Sequence, residues 1–393
     1  MKLVLLCLFL FYEKSVSNQM PKIITSVINN YNGDQRVQRV CQSLHKFGFE
    51  VEVIATNLRN SDLKTNFPYP VHRIHLKKQE GVLFYVEFNW KLFRKLLKIT
   101  KKGDILLAND LDALLPNYWV SKLRGNPLVF DSHEIFSELP SLTHRKVKKK
   151  IWKSLEASLV PKMKYFYTVS KGCADWFEEA YQNRPKIIQN VPMTHPKIDE
   201  KLIIELPNLN SGEKIMIYQG TINICRGIDK MIQAMQFVEN AQLWIVGNGP
   251  EKQKLEQLAM DLNVEERVHF FGTIPPAQLK LLTPKADLGL SLEEDGGLSY
   301  RYASPNKVFD YIHAGIPVLG TYLPEIKYII ETYGIGMVLK NHEIQHIAEK
   351  MKLLLGKNKS EYAENLKKAA QVYNWEIEEK KLEQIFQPFL QIK

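Results

Sequence analysis

Apolar and polar positions alternate between two spacings along most of the chain. Short apolar runs of strand length recur at 23–28, 51–55, 71–75, 105–108, 128–131 and 165–169, with helical spacing between them. After the first run, Asn29-Asn30-Tyr31-Asn32-Gly33 is rich in turn formers, and a helix should begin at Asp34. Val37, Val40, Cys41, Leu44 and Phe47 fall on one face of that helix, and Gly48 is placed to end it. The rhythm breaks over 193–212, where Pro196, Pro207, Asn208, Asn210 and Gly212 gather. It restarts with strands at 215–219, 243–246, 268–271, 288–291 and 318–320, and with helices at 228–238, 251–262, 306–314 and 326–332. Residues 360–389 read as one polar helix anchored by Trp375. The pattern predicts the α/β class: two Rossmann-like, doubly wound domains with parallel sheets, facing each other across a cleft.

Size and composition agree with two domains. The 393 residues are about twice a usual domain, and 45% of them are apolar, enough for large cores. No apolar run approaches the roughly 20 residues that cross a bilayer. The four cysteines Cys7, Cys41, Cys173 and Cys225 are widely spaced, which excludes a disulfide framework or zinc ribbon and fits a reducing compartment. At the start, Lys2 precedes an apolar run from Leu3 to Phe11, signal-like in form, yet Met20-Pro21-Lys22 leads straight into the first strand. Residues 1–19 are therefore expected to be an extension or a signal-like segment.

Charge is uneven. Residues 1–200 hold 31 Lys and Arg against 19 Asp and Glu, while the rest hold 22 against 24. The basic half predicts an anionic partner: a membrane surface, a nucleic acid or a phosphorylated substrate. Residues 90–102 set Lys91, Arg94, Lys95 and Lys98 among Trp90, Phe93 and Leu97, and 144–164 set Lys146, Lys148 and Lys150 beside Ile151 and Trp152. Basic amphipathic helices of this type lie on anionic lipid, and a solvated lysine face is the plain alternative. No nucleic-acid reading motif accompanies them.

Ligands of doubly wound sheets bind beyond the carboxyl ends of the strands. Glycine-bearing loops occur there three times: Gly220, Gly247-Asn248-Gly249 and Gly272-Thr273. In Arg301-Tyr302-Ala303-Ser304-Pro305-Asn306-Lys307-Val308-Phe309-Asp310-Tyr311, Ser304 suits an N-cap and Pro305 the first helical position. That helix start offers free amides near Asn306, with Lys307 adding a full charge for an anion. Asp310, on the same face, suits the vicinal hydroxyls of a ribose. No HExxH or other metal-ligand cluster is present.

From about residue 20 onward the chain resembles the GT-B-fold glycosyltransferases, in particular the retaining family-4, glycogen-synthase-like group. The resemblance is carried by Ser304 to Tyr311, Gly315-Ile316-Pro317-Val318, Gln219-Gly220-Thr221 with Arg226-Gly227, and Val246 to Pro250. It implies domains at 20–195 (acceptor side) and 213–372 (nucleotide-sugar side), a linker at 196–212, and a C-terminal helix at 373–393 that crosses back to the first domain. It implies a nucleotide-diphosphate sugar donor, a glycan or lipid-linked acceptor, peripheral contact with an anionic membrane, no nucleic acid, no metal and no cofactor. The location implied is cytoplasmic, on the inner face of the membrane. In that group two glutamates bracket seven residues. The second binds the ribose, and Asp310 stands there; the first falls at Tyr302, with Glu293, Glu294 and Asp295 nearby as substitutes. Thr221 stands where the family has Arg, and Arg226 where it has Lys, the pair that grips the diphosphate. By the same resemblance the loop holding Gly33 faces the donor phosphates and acceptor, and His133 lies near the transferred sugar with Asp110. Gly247, Gly249 and Thr273 lie beside the base. A GT-B sugar-nucleotide epimerase and a non-catalytic GT-B binding protein are the alternatives.

Overall fold

The computed structural model describes residues 20–58, 66–194 and 204–390. The expectation for 1–19 lies outside the described residues, as do residues 196–203 of the expected linker.

Thirteen strands form two sheets among the described residues. The first runs β1 (Lys22–Ser26), β2 (Glu50–Thr56), β3 (Val71–Ile74), β4 (Ile105–Asn109), β5 (Leu128–Ser132), β6 (Tyr165–Thr168) and β7 (Lys186–Ile187), in the order β3-β2-β1-β4-β5-β6-β7. The second contains β8 (Lys214–Gln219), β9 (Ala241–Val246), β10 (Val268–Gly272), β11 (Leu288–Ser291), β12 (Val318–Gly320) and β13 (Gly336–Val338), in the order β10-β9-β8-β11-β12-β13. All five pairings of the second sheet are parallel. Both orders reverse beside the first strand, the doubly wound arrangement in which loops on either side of the switch part at the carboxyl edge. β4 and β9 are buried throughout, as strands covered on both faces must be.

Helices fill the crossovers: α1 (Gln35–Lys46), α2 (Gly81–Ile99), α3 (Asp110–Arg124), α4 (Lys146–Leu159), α5 (Lys171–Tyr181), α6 (Ile228–Ala234) and α7 (Lys252–Asp261). They continue with α8 (Pro276–Leu282), α9 (Leu298–Arg301), α10 (Asn306–Ala314), α11 (Pro324–Tyr333), α12 (Ile344–Leu355), α13 (Ala363–Val372) and α14 (Trp375–Leu390). The first helix is specified as expected: the Asp34 carboxylate accepts from Val37 N, and Val37, Val40, Cys41 and Leu44 are buried.

Two compact units emerge. Among the described residues one draws on 20–131, Lys162–Phe166 and 379–390, the other on Ser132–Pro161 and Tyr167–Glu378. In the first, Arg36 pairs with the fully buried Asp131 at 2.7 Å, and the last helix is tied to α1 by Ser43 and Lys46, both bonded to Glu379. Phe386 meets Phe49 edge-on at 6.1 Å beside it.

The structure differs from the sequence reading in places. The helix expected over 360–389 is three elements, a 3-10 turn at Lys359–Tyr362 followed by α13 and α14, and the last two part at Asn374, whose side chain accepts from Ile377 N and donates to the carbonyls of Ala370 and Gln371. The helix expected over 228–238 stops at Ala234, where Met235 and Phe237 close i→i−3 bonds instead. Strands β7 and β13, two and three residues long, have no alternating pattern to betray them.

Candidate functional site

The site is built within the second unit, at the carboxyl ends of β8, β9 and β11. Three glycine loops knit these ends together: Gly220 N donates to Val246 O, Ile222 N to Asn248 O, and Gly247 N to Gly272 O. A Cβ on Gly247 would lie 1.8 Å from the Gly220 carbonyl oxygen, and one on Gly249 would lie 1.9 Å from that of Ile222. Both glycines are thus required by loop packing. Thr273 is exposed just after β10, and Thr221 accepts from the Tyr218 hydroxyl through its carbonyl.

Below these loops lies a buried charge cluster. Lys307, in the first turn of α10, forms an ion pair with Glu293, which follows β11; both are nearly excluded from solvent. Ser291 Oγ donates to the same carboxylate at 2.7 Å, and an Arg226 guanidinium nitrogen lies 3.8 Å from it. Lys307 Nζ sits 4.4 Å over the Tyr218 ring, and the Arg226 guanidinium 4.5 Å over Tyr300. Burial would raise the Glu293 pKa, but Lys307 and Arg226 outweigh it and hold the carboxyl below its ordinary value. Burial draws Lys307 below the usual lysine range against the pull of Glu293. For Arg226 burial is again the largest effect, and it is overcome by Glu293, Tyr218 and Tyr300, which raise its pKa; Glu134 adds to this. Two cations thus share one buried carboxylate, which favours an anion beside them. Among the described residues, Arg226 Nε is buried without a hydrogen-bond partner.

The expected helix cap is corrected here. Pro305, not Ser304, occupies the N-cap position, Asn306 is the first helical residue, and no side chain caps the end. The Ser304 hydroxyl is buried without a hydrogen-bond partner among the described residues, which leaves the α10 amides uncapped. Lys307 pairs with Glu293 across the loop, not with Asp310 on its own helix. Asp310 accepts from Gln219 Nε2 at 2.8 Å, and Gln219 Oε1 accepts from Thr283 at 2.9 Å, a chain that aims the carboxylate.

The three carboxylates offered as substitutes for the first glutamate are all engaged: Glu293 with Lys307, Glu294 with Lys230, and Asp295 with Arg301. Tyr302 itself is a packing residue. Its ring lies against Gly172, where a Cβ would come within 2.5 Å of it, and beside Ile135, Val169 and Cys173. Its carbonyl accepts from Ser170 Oγ at 2.6 Å.

Gly220, Arg226, Lys307, Asp310, Gly247 and Gly249 are brought together, and half-buried His133 and Glu134 belong to the same unit. Gly33 and Asp110 belong to the other. A Cβ on Gly33 would meet nothing within 4 Å. Asp110 holds a left-handed φ of 60° at the end of β4, a conformation Asp tolerates better than most residues. Sequence reading missed Glu293 as the hub of the cluster, and Tyr218 and Tyr300 as its walls. Among the described residues no group of three or more His, Cys, Asp or Glu is placed to hold a metal, and no helix is long and apolar enough to cross a membrane.

Comparison with known proteins agrees with this architecture. Residues 34–192 match the model for Glycosyltransferase Family 4, and residues 199–373 that for Glycosyl transferases group 1. The chain belongs to the group 1/family 4 glycosyltransferases. A sucrose-phosphate synthase from Thermosynechococcus elongatus superposes with a TM-score of 0.76 at 15% identity, over 95% of this chain and 100% of that one. Anabaena HepE, solved in complex with UDP-glucose, gives 0.70 at 15% identity over 93% and 99%. At these identities the likeness shows the fold, which is GT-B. In sequence, the lipopolysaccharide core biosynthesis glycosyltransferase LpsD of Rhizobium meliloti is 47% identical over 47 residues, 12% of this family member and 14% of that relative.

Proposed function

We propose that this family member transfers a hexosyl group from a nucleotide-diphosphate sugar to a glycan or lipid-linked acceptor, with retention and without a metal, in the synthesis of a cell-surface polysaccharide or glycolipid. The observation that carries the reading is the buried cluster of Arg226, Lys307 and Glu293 beneath the uncapped start of α10, where two cations share one carboxylate. As the anomeric C–O bond breaks, negative charge grows on the leaving diphosphate. Arg226, Lys307 and the α10 amides supply preorganised positive charge for it. Asp310, aimed by Gln219, accepts from the ribose hydroxyls. His133 contacts the transferred sugar; Asp110 and Gly33 rest on the resemblance alone. The acceptor oxygen attacks the face the diphosphate leaves, so no enzyme nucleophile is assigned. HepE in complex with UDP-glucose supports a sugar nucleotide as donor, and the name of LpsD supports a surface glycolipid as product. We place the protein at the cytoplasmic face of the membrane, in peripheral contact with anionic lipid.

Thermal shifts with UDP, GDP, ADP and CDP test the donor site. A ligand at 100 times its dissociation constant stabilises the fold by roughly 2.7 kcal/mol. The expected result is a response to one nucleotide that Asp310→Ala abolishes, followed by release of that nucleotide from its sugar conjugate on adding acceptor. No response to any nucleotide would refute the donor site and favour the binding-protein reading.

A further inference from the structure

Helix α2 has two apolar sides. Phe84, Phe88, Leu92 and Leu96 are buried and form its inner face. A second stripe stays in water: Val82, Leu83, Val86 and Trp90 are 56%, 62%, 59% and 60% exposed. Val82, Val86, Trp90 and Phe93 follow the spacing i, i+4, i+8, i+11, so they share one side of the helix. Neighbouring α3 extends the stripe with Trp119 and Leu123, 48% and 68% exposed. Phe93 joins the two helices, 6.4 Å from the Trp90 ring and edge-on to Trp119 at 5.9 Å. Single exposed apolar side chains need no explanation, but a contiguous patch of six does.

The rim of the patch is cationic. Over residues 80–102 there are six Lys and Arg against two acids, and one of those acids, Glu87, is paired with Lys91. Arg94 and Lys98 stand one step round the helix from Trp90, both exposed. A second copy of the chain docking symmetrically here would set these cationic rims against each other.

We propose that this α2–α3 patch is a lipid-docking surface. Its tryptophans and aliphatic side chains enter the interface of an anionic bilayer, with the helices lying in the plane, while Arg94 and Lys98 meet the lipid phosphates. The proposal deepens the membrane contact of the preceding reading and rests on it, but it needs nothing from the donor site.

The full chain is sedimented with vesicles of phosphatidylcholine alone and of phosphatidylcholine mixed with phosphatidylglycerol. The expected result is binding to the anionic vesicles, weakened roughly tenfold or more in Trp90→Gln/Trp119→Gln, since binding scales with buried apolar area, and likewise reduced in Arg94→Gln/Lys98→Gln. Lipids brominated in their chains should quench tryptophan fluorescence in the wild type and much less in the Trp double variant. Melting temperatures near the wild type's show that these surface variants are folded. Absence of wild-type binding would overturn both the patch and the membrane contact. Undiminished binding by a folded Trp double variant would overturn the patch alone, leaving the contact to another surface. Self-association that the Trp substitutions abolish, without lipid binding, would identify the patch as a dimer face and overturn the proposal.

Discussion

Lys307 and Glu293, fourteen residues apart, bury an ion pair in the floor of the candidate donor site. Arg226 at 3.8 Å and Ser291 at 2.7 Å are the further neighbours of that carboxylate. Removing one partner of a buried pair leaves an uncompensated charge, which costs more than the pair itself contributes. Lys307→Met should therefore destabilise the protein by about 3–5 kcal/mol. Adding Glu293→Gln should recover part of that loss, a coupling that urea unfolding of the single and double variants measures.

Glu156 is a second buried carboxyl, with Ser137 Oγ donating to it at 2.5 Å and Tyr181 at 2.9 Å. Burial pushes its pKa up to about 7, against the opposing pull of these two hydroxyls. The folded state thus holds a proton that the unfolded chain releases near pH 4.3. The stability this proton brings is fully present below the unfolded pKa and is lost as pH rises through about 7. Glu156→Gln should leave the melting temperature unchanged near pH 3, where wild-type Glu156 is protonated in both states, and raise it by several degrees at pH 8, by order of magnitude.

Among the glycines, Gly247 and Gly33 should respond oppositely to alanine. At Gly247 the φ of 143° and the 1.8 Å approach to Gly220 O leave no room for a methyl group, so Gly247→Ala should cost more than about 2 kcal/mol. At Gly33, with open space around the Cβ position, the change should stay within about 0.5 kcal/mol. Thermal melts of the two variants make the comparison.

Restoring the family's first glutamate should not help this chain. Tyr302 fills a pocket against Gly172, Ile135, Val169 and Cys173. Tyr302→Glu removes that packing and sets a carboxylate in its place, at an expected cost of about 2–4 kcal/mol. Turnover of the donor should fall or stay level, and a clear gain would show that position 302 reaches the sugar.

Much of the fold was legible in local pattern. The helix from Asn306 to Ala314 and the strands Leu288–Ser291 and Val318–Gly320 match the sequence reading residue for residue, because strands buried on both faces and helices with one apolar face leave unmistakable periods. The break at Asn374 was not legible, since a side chain that bonds to nearby backbone can cap a helix or lie within one. The short strands β7 and β13 exist only because a neighbour offers an edge.

The sequence by itself determined the α/β architecture, the glycine loops at the strand ends and the cations near them, all of which depend on residues close in the chain. Only the tertiary structure decided how those charges combine. It joined Glu293 to Lys307 and Arg226, turned Asp310 toward Gln219, and packed Tyr302 where the family carries an acid. It also left one apolar side of α2 in water while burying another. Ion pairing and burial depend on distance through space, and residues 226, 293 and 307 become neighbours only once the sheet has brought its strand ends together.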